Sequence, residues 1–232
     1  MSTFYVIATP IGNLEDVTLR ALRILREADL VLCEDTRVTK RLFEKHSIST
    51  PMMSYHAQSG EAKVDLILEK IKEGLNIALV TDAGTPGISD PGSMLISQIR
   101  ENFLEQLKSG EFKIEVIPGP SALTAALSIA GVPTHEFVFL GFLPHKKGRE
   151  TLFKEIAESE RTMVFYESTH RILKTLESLK KTQTKINKKV TIVREITKIY
   201  EEVLQGSAEE VLKILTDTPE KQKGEFVVIV SN

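Results

Sequence analysis

The stretch "LVTDAGTPGISDPG" (79–92) ends an apolar run in three glycines, two prolines and two carboxylates. A connection between two elements needs far less backbone punctuation, so the stretch reads as a loop built to hold something. The run that leads into it, "NIALVT" (76–81), is apolar throughout, as in strands buried on both faces of a parallel sheet. Before it lies "AKVDLILEKIKEG" (62–74), a helical pattern closed by Gly74 at the preferred C-terminal position. The same alternation extends outward. "FYVIA" (4–8), "TLRALRILREA" (18–28), "DLVLCE" (29–34) and a charged helical piece (36–46) precede, and a helix from about 92 to 107 and the strand "FKIEVI" (112–117) follow. Strands alternating with helices predict a parallel sheet whose ligand sits beyond the carboxyl ends of its strands.

After residue 117, "PGPSALTAALSIAGVP" reads as a turn and a small-residue helix, with Ser121 as N-cap and Gly131 at its end. The pattern then changes. "EFVFLGF" (136–142), "TMVFYE" (162–167), "KVTIVRE" (189–195), "KIYEEVLQG" (198–206) and "GEFVVIVS" (224–231) include two strands joined by too few residues for a parallel crossover, which predicts a mixed sheet. The expectation is an α/β chain of two domains, 1–117 and 118–232, with the boundary between 117 and 131.

Composition narrows the function classes. Of 232 residues 41% are apolar and 27% charged, with 30 basic against 32 acidic side chains, so any surface for a polyanion must be local. One cysteine, Cys33, permits no internal disulfide, and five scattered histidines have no metal-ligand spacing; no metal site is expected. The start "MSTFYVIATP" lacks a secretion signal and no apolar run approaches the ~20 residues of a membrane span, so a cytoplasmic protein is expected.

Three loops follow apolar strands of the first half: "TPIGN" (9–13), "DAGTPGISDPG" (82–92) and "PGPSAL" (118–123). Each alone could be a tight connection, but three at one sheet edge form a binding surface of exposed backbone N–H groups. Neither G-x-G-x-x-G nor a P-loop is present, and "GPSAL" lacks the second glycine of a nucleophile elbow, leaving Ser121 a binding or capping role.

"TPIGNLEDVTLRAL", "LCEDTRVTKRL", "LVTDAGTPGISDPG", "IPGPSALTAALSIAGVP", "FLGFLPHKKGRE", "FYESTHRI", "VREITKIYEE" and "GEFVVIV" together resemble the ribosomal RNA small-subunit methyltransferase I family of the tetrapyrrole methylase superfamily. The resemblance runs from Tyr5 to Val230 in order. It implies a dimeric enzyme that binds S-adenosylmethionine between two domains and methylates a cytidine ribose 2′-hydroxyl in small-subunit ribosomal RNA, free or in the 30S particle. Carried onto this chain, it implies cofactor contacts from Pro10, Ile11, Gly12, Asp82, Ala83, Gly84, Thr85, Ser89, Asp90, Ser121 and Ala122, and from Tyr166, Val193, Arg194, Glu225 and Phe226. Backbone amides suit the ligand's carboxylate, carboxylates its ammonium and ribose hydroxyls, and apolar walls its adenine.

A hydroxyl acceptor needs a base. "CEDTR" supplies Glu34, Asp35 and Arg37, and "YESTHR" supplies Glu167, His170 and Arg171; Asp35, Arg37 and Glu167 are the candidates for catalysis, each with a salt bridge or helix cap as its other reading. His145, Lys146, Lys147 and Arg149 of "HKKGR" are the candidates for RNA phosphate contact, while "KKTQTKINKK" (180–189) reads as a solvated face. Two departures from the family stand out. Longer members carry a small further domain, whereas this chain ends at Asn232, and "SYHAQSGEAK" (54–63) replaces an acidic "YHEHNE" pattern, so a substrate role for that loop is discounted. Two other readings remain: a cobalamin-pathway tetrapyrrole methylase, which would want a Gly-rich first loop and a "GDP" motif, and a non-catalytic RNA-binding protein on the same fold.

Overall fold

The computed structural model describes residues 2–90, 92–182 and 188–232, which form two compact units, Met1–Ser121 and Ala122–Asn232. Met1, Pro91 and residues 183–187 lie outside the description. The "DPG" turn is therefore seen at Asp90 and Gly92, and the second lysine cluster at Lys180, Lys181, Lys188 and Lys189.

The first unit is a five-stranded sheet in the order β3-β2-β4-β1-β5, every pair parallel. Its elements are β1 (Ser2–Ile7), α1 (Leu19–Glu27), β2 (Leu30–Cys33), α2 (Thr36–Lys45), β3 (Met52–Ser54), α3 (Glu61–Lys72), β4 (Ile77–Leu79), α4 (Gly92–Asn102), α5 (Leu104–Ser109) and β5 (Phe112–Ile117). Period-two alternation sorts the strand side chains. Phe4, Val6, Leu30, Leu32, Ile77 and Leu79 join residues of α3 and α4 in one core layer, and Ile7, Val31, Cys33, Ala78 and Val80 join α1 and α2 in the other. Both faces are covered, which is why these strands read as unbroken apolar runs. The strand order has a mechanical consequence: the chain leaving β1 crosses over β4 to reach β2, and the chain leaving β4 crosses over β1 to reach β5. The two connections part in opposite directions between β1 and β4, which opens a crevice at the carboxyl ends of those strands.

Two features differ from the sequence reading. The helix expected over 92–107 is two helices, because Phe103 leaves helical geometry (φ −117°, ψ 27°) to bury its ring 5.0 Å from that of Phe112. The edge strand β3 carries no period-two pattern in its three residues and pairs with β2 alone.

The second unit holds α6 (Ala122–Ile129), β6 (Phe137–Phe142), α7 (Arg149–Glu158), β7 (Thr162–Ser168), α8 (Ile172–Thr182), β8 (Lys189–Arg194), β9 (Glu202–Gly206), α9 (Ala208–Asp217) and β10 (Glu225–Ser231). Its sheet runs β6-β7-β10-β8-β9; β6 and β7 are parallel and the other pairs antiparallel, a mixed sheet. Met163, Phe165, Val190, Ile192, Phe226 and Val228 face α7, α8 and α9, and α6 packs on β10. Ser207 and Glu210 start α9 with a reciprocal capping box. No helix among the described residues is long and apolar enough to cross a membrane.

Candidate active site

The crevice of the first unit is closed into one piece by main-chain bonds. Thr9 and Gly84 form an isolated antiparallel bridge: the Thr9 N–H donates to the Gly84 carbonyl at 2.9 Å and the Gly84 N–H to the Thr9 carbonyl at 3.1 Å. The loop after β1 is thus sewn to the loop after β4. Thr9 Oγ1 adds a bond to the Thr81 carbonyl (3.0 Å), and the Ala8 N–H reaches the Ile117 carbonyl (3.2 Å). The Thr85 hydroxyl donates to the Pro120 carbonyl at 3.1 Å, which brings in the loop after β5. Glycine is needed at two of these joints. Gly84 has φ +85°, and a Cβ there would meet Ile11 Cγ2 at 3.4 Å; a Cβ on Gly119 would meet Ala8 Cβ at 3.1 Å.

The loop after β2 joins the same edge. The Asp35 N–H donates to Asp82 Oδ1 at 2.9 Å. Asp35 itself caps α2, its Oδ1 accepting from the Arg37 N–H (2.8 Å), and its carboxylate is gripped by the Arg37 guanidinium, with Nη2 2.6 Å from Oδ2. Those Arg37 hydrogen bonds hold its carboxyl at about 2, down from 3.8. A carboxylate so held is a poor proton acceptor near neutrality. Asp35 and Arg37 therefore serve each other and the helix start, the salt-bridge and helix-cap reading that the sequence also allowed. Asp90 is also committed: its Oδ1 accepts the N–H groups of Gly87 (2.7 Å) and Gly92 (2.8 Å). Ser89 sits at φ +64° in that turn.

Glu34 is different. It is half-buried at the end of β2, and burial, with Asp82 and Asp90 nearby, pushes its carboxyl above the ordinary glutamate range against the opposing pull of His56. Sequence reading named it among the residues of "CEDTR" but put Asp35, and not Glu34, forward for catalysis. The separation depends on which neighbour each carboxylate meets, and that is a property of the folded edge.

In the second unit several sequence candidates are occupied by structural partners. Glu167 is 2% exposed; it accepts from Thr175 Oγ1 at 2.6 Å and from the Ser168 N–H at 2.9 Å, and Arg171 Nε lies 3.4 Å away. That is a buried polar brace, the salt-bridge reading that the sequence also allowed for Glu167. Arg171 also donates to the Leu143 carbonyl (2.6 Å), and Arg149 donates to Thr175 Oγ1 (2.8 Å) and the Pro144 carbonyl (3.2 Å) while stacking over Phe153. Arg149 is thus a strut under the 143–148 turn, whereas His145, Lys146 and Lys147 are exposed on it.

Arg194 gives its guanidinium to the carbonyls of Lys223, Tyr200 and Glu220. Phe226 lies in the core under the helices, and Val193 is fully buried between β10 and β9. The Glu225 carbonyl accepts from the Glu195 N–H, the Glu225 N–H donates to Glu195 Oε1, and the Glu225 carboxylate pairs with Lys198. Tyr166 stays half-buried, its ring 5.0 Å from Phe139 and 5.5 Å from Phe142. Of the second lysine cluster, Lys180 pairs with Glu209 and Lys188 is buried against the Ser159 carbonyl and Asn232. Among the described residues no group of His, Cys, Asp and Glu could hold a metal ion.

The family model of the tetrapyrrole (corrin/porphyrin) methylases matches residues 3–212. The chain is 40% identical over 233 residues to the ribosomal RNA small subunit methyltransferase I of Thermotoga maritima, covering all of this chain and 99% of that one. The chain belongs to this methyltransferase family. A Synechocystis protein of the same name is 42% identical over 235 residues, covering all of this chain and 79% of its own length. Among solved structures, diphthine synthase superposes with a TM-score of 0.71 at 17% identity, covering all of this chain and 90% of that one. The uroporphyrin-III C-methyltransferase of Thermus thermophilus, in complex with S-adenosylhomocysteine, superposes with a TM-score of 0.58 at 21% identity, covering all of this chain and 98% of that one. These likenesses establish a shared fold, and family membership makes the chain a methyltransferase.

The Asp35 cap has a testable pH signature. A carboxyl lowered in the folded state adds stability that is present above its unfolded value of 3.8 and is lost as pH falls through about 2. Asp35→Asn keeps a good capping side chain and removes the charge. The variant is expected to be less stable than wild type at neutral pH in urea unfolding followed by circular dichroism, with the difference closing from pH 3.8 toward 2. A difference independent of pH would contradict the ion-paired cap.

Proposed function

We propose that this chain transfers the methyl group of S-adenosylmethionine to the 2′-hydroxyl of a cytidine ribose in small-subunit ribosomal RNA, acting in the cytoplasm as a homodimer on the 30S particle. The observation that carries the reading is identity of 40–42%, across the whole chain, to proteins named for ribosomal RNA methylation. Identity to the uroporphyrin-III enzyme is 21%, which favours RNA over a macrocycle as substrate.

The residues present suit the cofactor. When bound, S-adenosylmethionine supplies an electrophilic methyl carried on a sulfonium. Asp82 has one oxygen fixed by the Asp35 N–H and a second available to an ammonium or ribose hydroxyl. Pro10 and Ile11 give the crevice an apolar wall, while Gly12 and Ala83 are exposed beside them. Gly84 keeps the backbone close because it has no Cβ. In this reading Thr85, Ser89 and Asp90 shape the loop and Ser121 lines it. Because the acceptor and the methyl must be held in line, most of the rate gain comes from positioning.

Mass mapping of ribose methylation in ribosomal RNA from cells with and without the gene tests the reading. One cytidine 2′-O-methyl group is expected to disappear with the gene and to return on incubation of purified 30S particles with the protein and cofactor. An unchanged map would contradict it. Light scattering of the same protein is expected to give twice the 25.9 kDa of one chain.

The basic turn gives a second expectation. Lys146→Ala with Lys147→Ala removes two exposed cations and leaves the Arg149 strut in place. Particle binding should weaken, and its log–log salt slope should flatten by about 1.5 units, at ~0.7–0.9 per phosphate contact. A wild-type slope would make the turn a solvated surface.

A further inference from the structure

We propose that Glu34 is the general base of the reaction: its carboxylate takes the proton from the acceptor hydroxyl. The inference rests on the proposed transfer to a ribose hydroxyl and assigns a group within that same site.

Placement and elimination carry it. Four carboxylates gather where β2 and β4 end: Glu34, Asp35, Asp82 and Asp90. Three of them accept fixed hydrogen bonds. Asp35 is bound by the Arg37 N–H and guanidinium, Asp82 by the Asp35 N–H, and Asp90 by the N–H groups of Gly87 and Gly92. Glu34 makes no hydrogen bond or ion pair among the described residues. Yet its backbone position is well determined, since Cys33 pairs with Ser54 of β3 on one side and Asp35 is tied to Asp82 on the other. A carboxylate with fixed backbone and free oxygens can follow a proton from acceptor to solvent; one locked into a cap cannot.

The electrostatics suit the role. The groups acting on Glu34 are Asp82, Asp90 and Asp35, which raise its proton affinity together with burial, and His56, which lowers it. His56 follows β3, and its Nδ1 is buried without a hydrogen-bond partner among the described residues. A base works best when its proton affinity approaches the working pH, and burial among like charges moves a glutamate in that direction. In the step itself, Glu34 accepts the hydroxyl proton as the new carbon–oxygen bond forms. The carbon–sulfur bond breaks with its electron pair going to sulfur, leaving a neutral thioether, and Glu34 then releases the proton to water.

The test is Glu34→Gln, an isostere that cannot take the proton, studied with 30S particles and S-adenosylmethionine. The single-turnover rate is expected to fall by about 10²–10⁴-fold while cofactor affinity, read by calorimetry, is unchanged. The acid limb of the wild-type pH–rate profile should disappear in the variant. Carbon NMR of the protein without cofactor gives a readout independent of activity: one glutamate carboxyl should titrate above the ordinary range, and its signal should be missing from Glu34→Gln. Glu34→Asp, which keeps a carboxylate one methylene shorter, should retain the limb at reduced rate. A wild-type rate and limb in Glu34→Gln overturns the assignment, as does loss of cofactor binding in that variant, which would make Glu34 a ligand residue, or a Glu34→Asp protein without the limb. The wild-type arm separates the two levels of the argument: a wild-type protein that binds cofactor and methylates no ribose overturns the reading of the substrate as well.

Discussion

Two main-chain hydrogen bonds between Thr9 and Gly84 tie together the loops on which the proposed site depends. A parallel sheet with this strand order necessarily has a place where consecutive connections part, and here it falls between β1 and β4. Left to themselves the loops leaving those strands would be mobile. The bridge makes them one short antiparallel ladder, and Thr9, Thr81, Thr85 and Pro120 extend it to the loop after β5. The bridge also sets the distance between the wall at Ile11 and the carboxylate at Asp82, because Gly84 lies against the first and two residues from the second. Backbone bonds of this kind do not depend on rotamers, so they hold a binding surface in place at little cost in side-chain entropy.

The second unit uses its buried charges differently. Glu167, Arg171 and Arg149 form a connected brace whose donors end on the carbonyls of Leu143 and Pro144. With those carbonyls satisfied, the turn that follows β6 is fixed at its base while Lys146 and Lys147 stay in water. A phosphate contact made from a fixed turn loses less conformational freedom than one made from a free loop. In the proposed reading the brace would act on RNA contact through the rigidity of the turn.

The sequence showed much of this and concealed a definite part. The parallel sheet was legible because strands buried on two faces leave long apolar runs such as "NIALVT", and the meeting of three Gly/Pro-rich loops at one edge was legible because each follows such a strand. Local signals also marked Gly74 and Gly131, which take positive φ after their helices. The edge strand Met52–Ser54 was hidden because three residues on an edge have no alternation to display. The break at Phe103 was hidden because its cause is a ring in another element, Phe112. The roles of Arg149, Glu167 and Arg194 were hidden for the same reason. Arg149 meets Thr175, 26 positions away, and Arg194 meets Lys223, 29 away, so no window of sequence separates a free cation from a strut. Asp35 and Glu34 are adjacent in sequence and part in function because one faces Arg37 and the other faces Asp82 and Asp90.

The central claim is that the β1–β4 edge, closed through Gly84, is the cofactor site. The most direct measurement is calorimetric titration of S-adenosylmethionine into wild type and Gly84→Val, with cooperative melting confirming that the variant is folded. At φ +85° and 3.4 Å from Ile11, a branched side chain must displace the loop from its bridge. The account predicts saturable binding to wild type and no detectable heat from the folded variant. Wild-type affinity in folded Gly84→Val would place the cofactor elsewhere and contradict it.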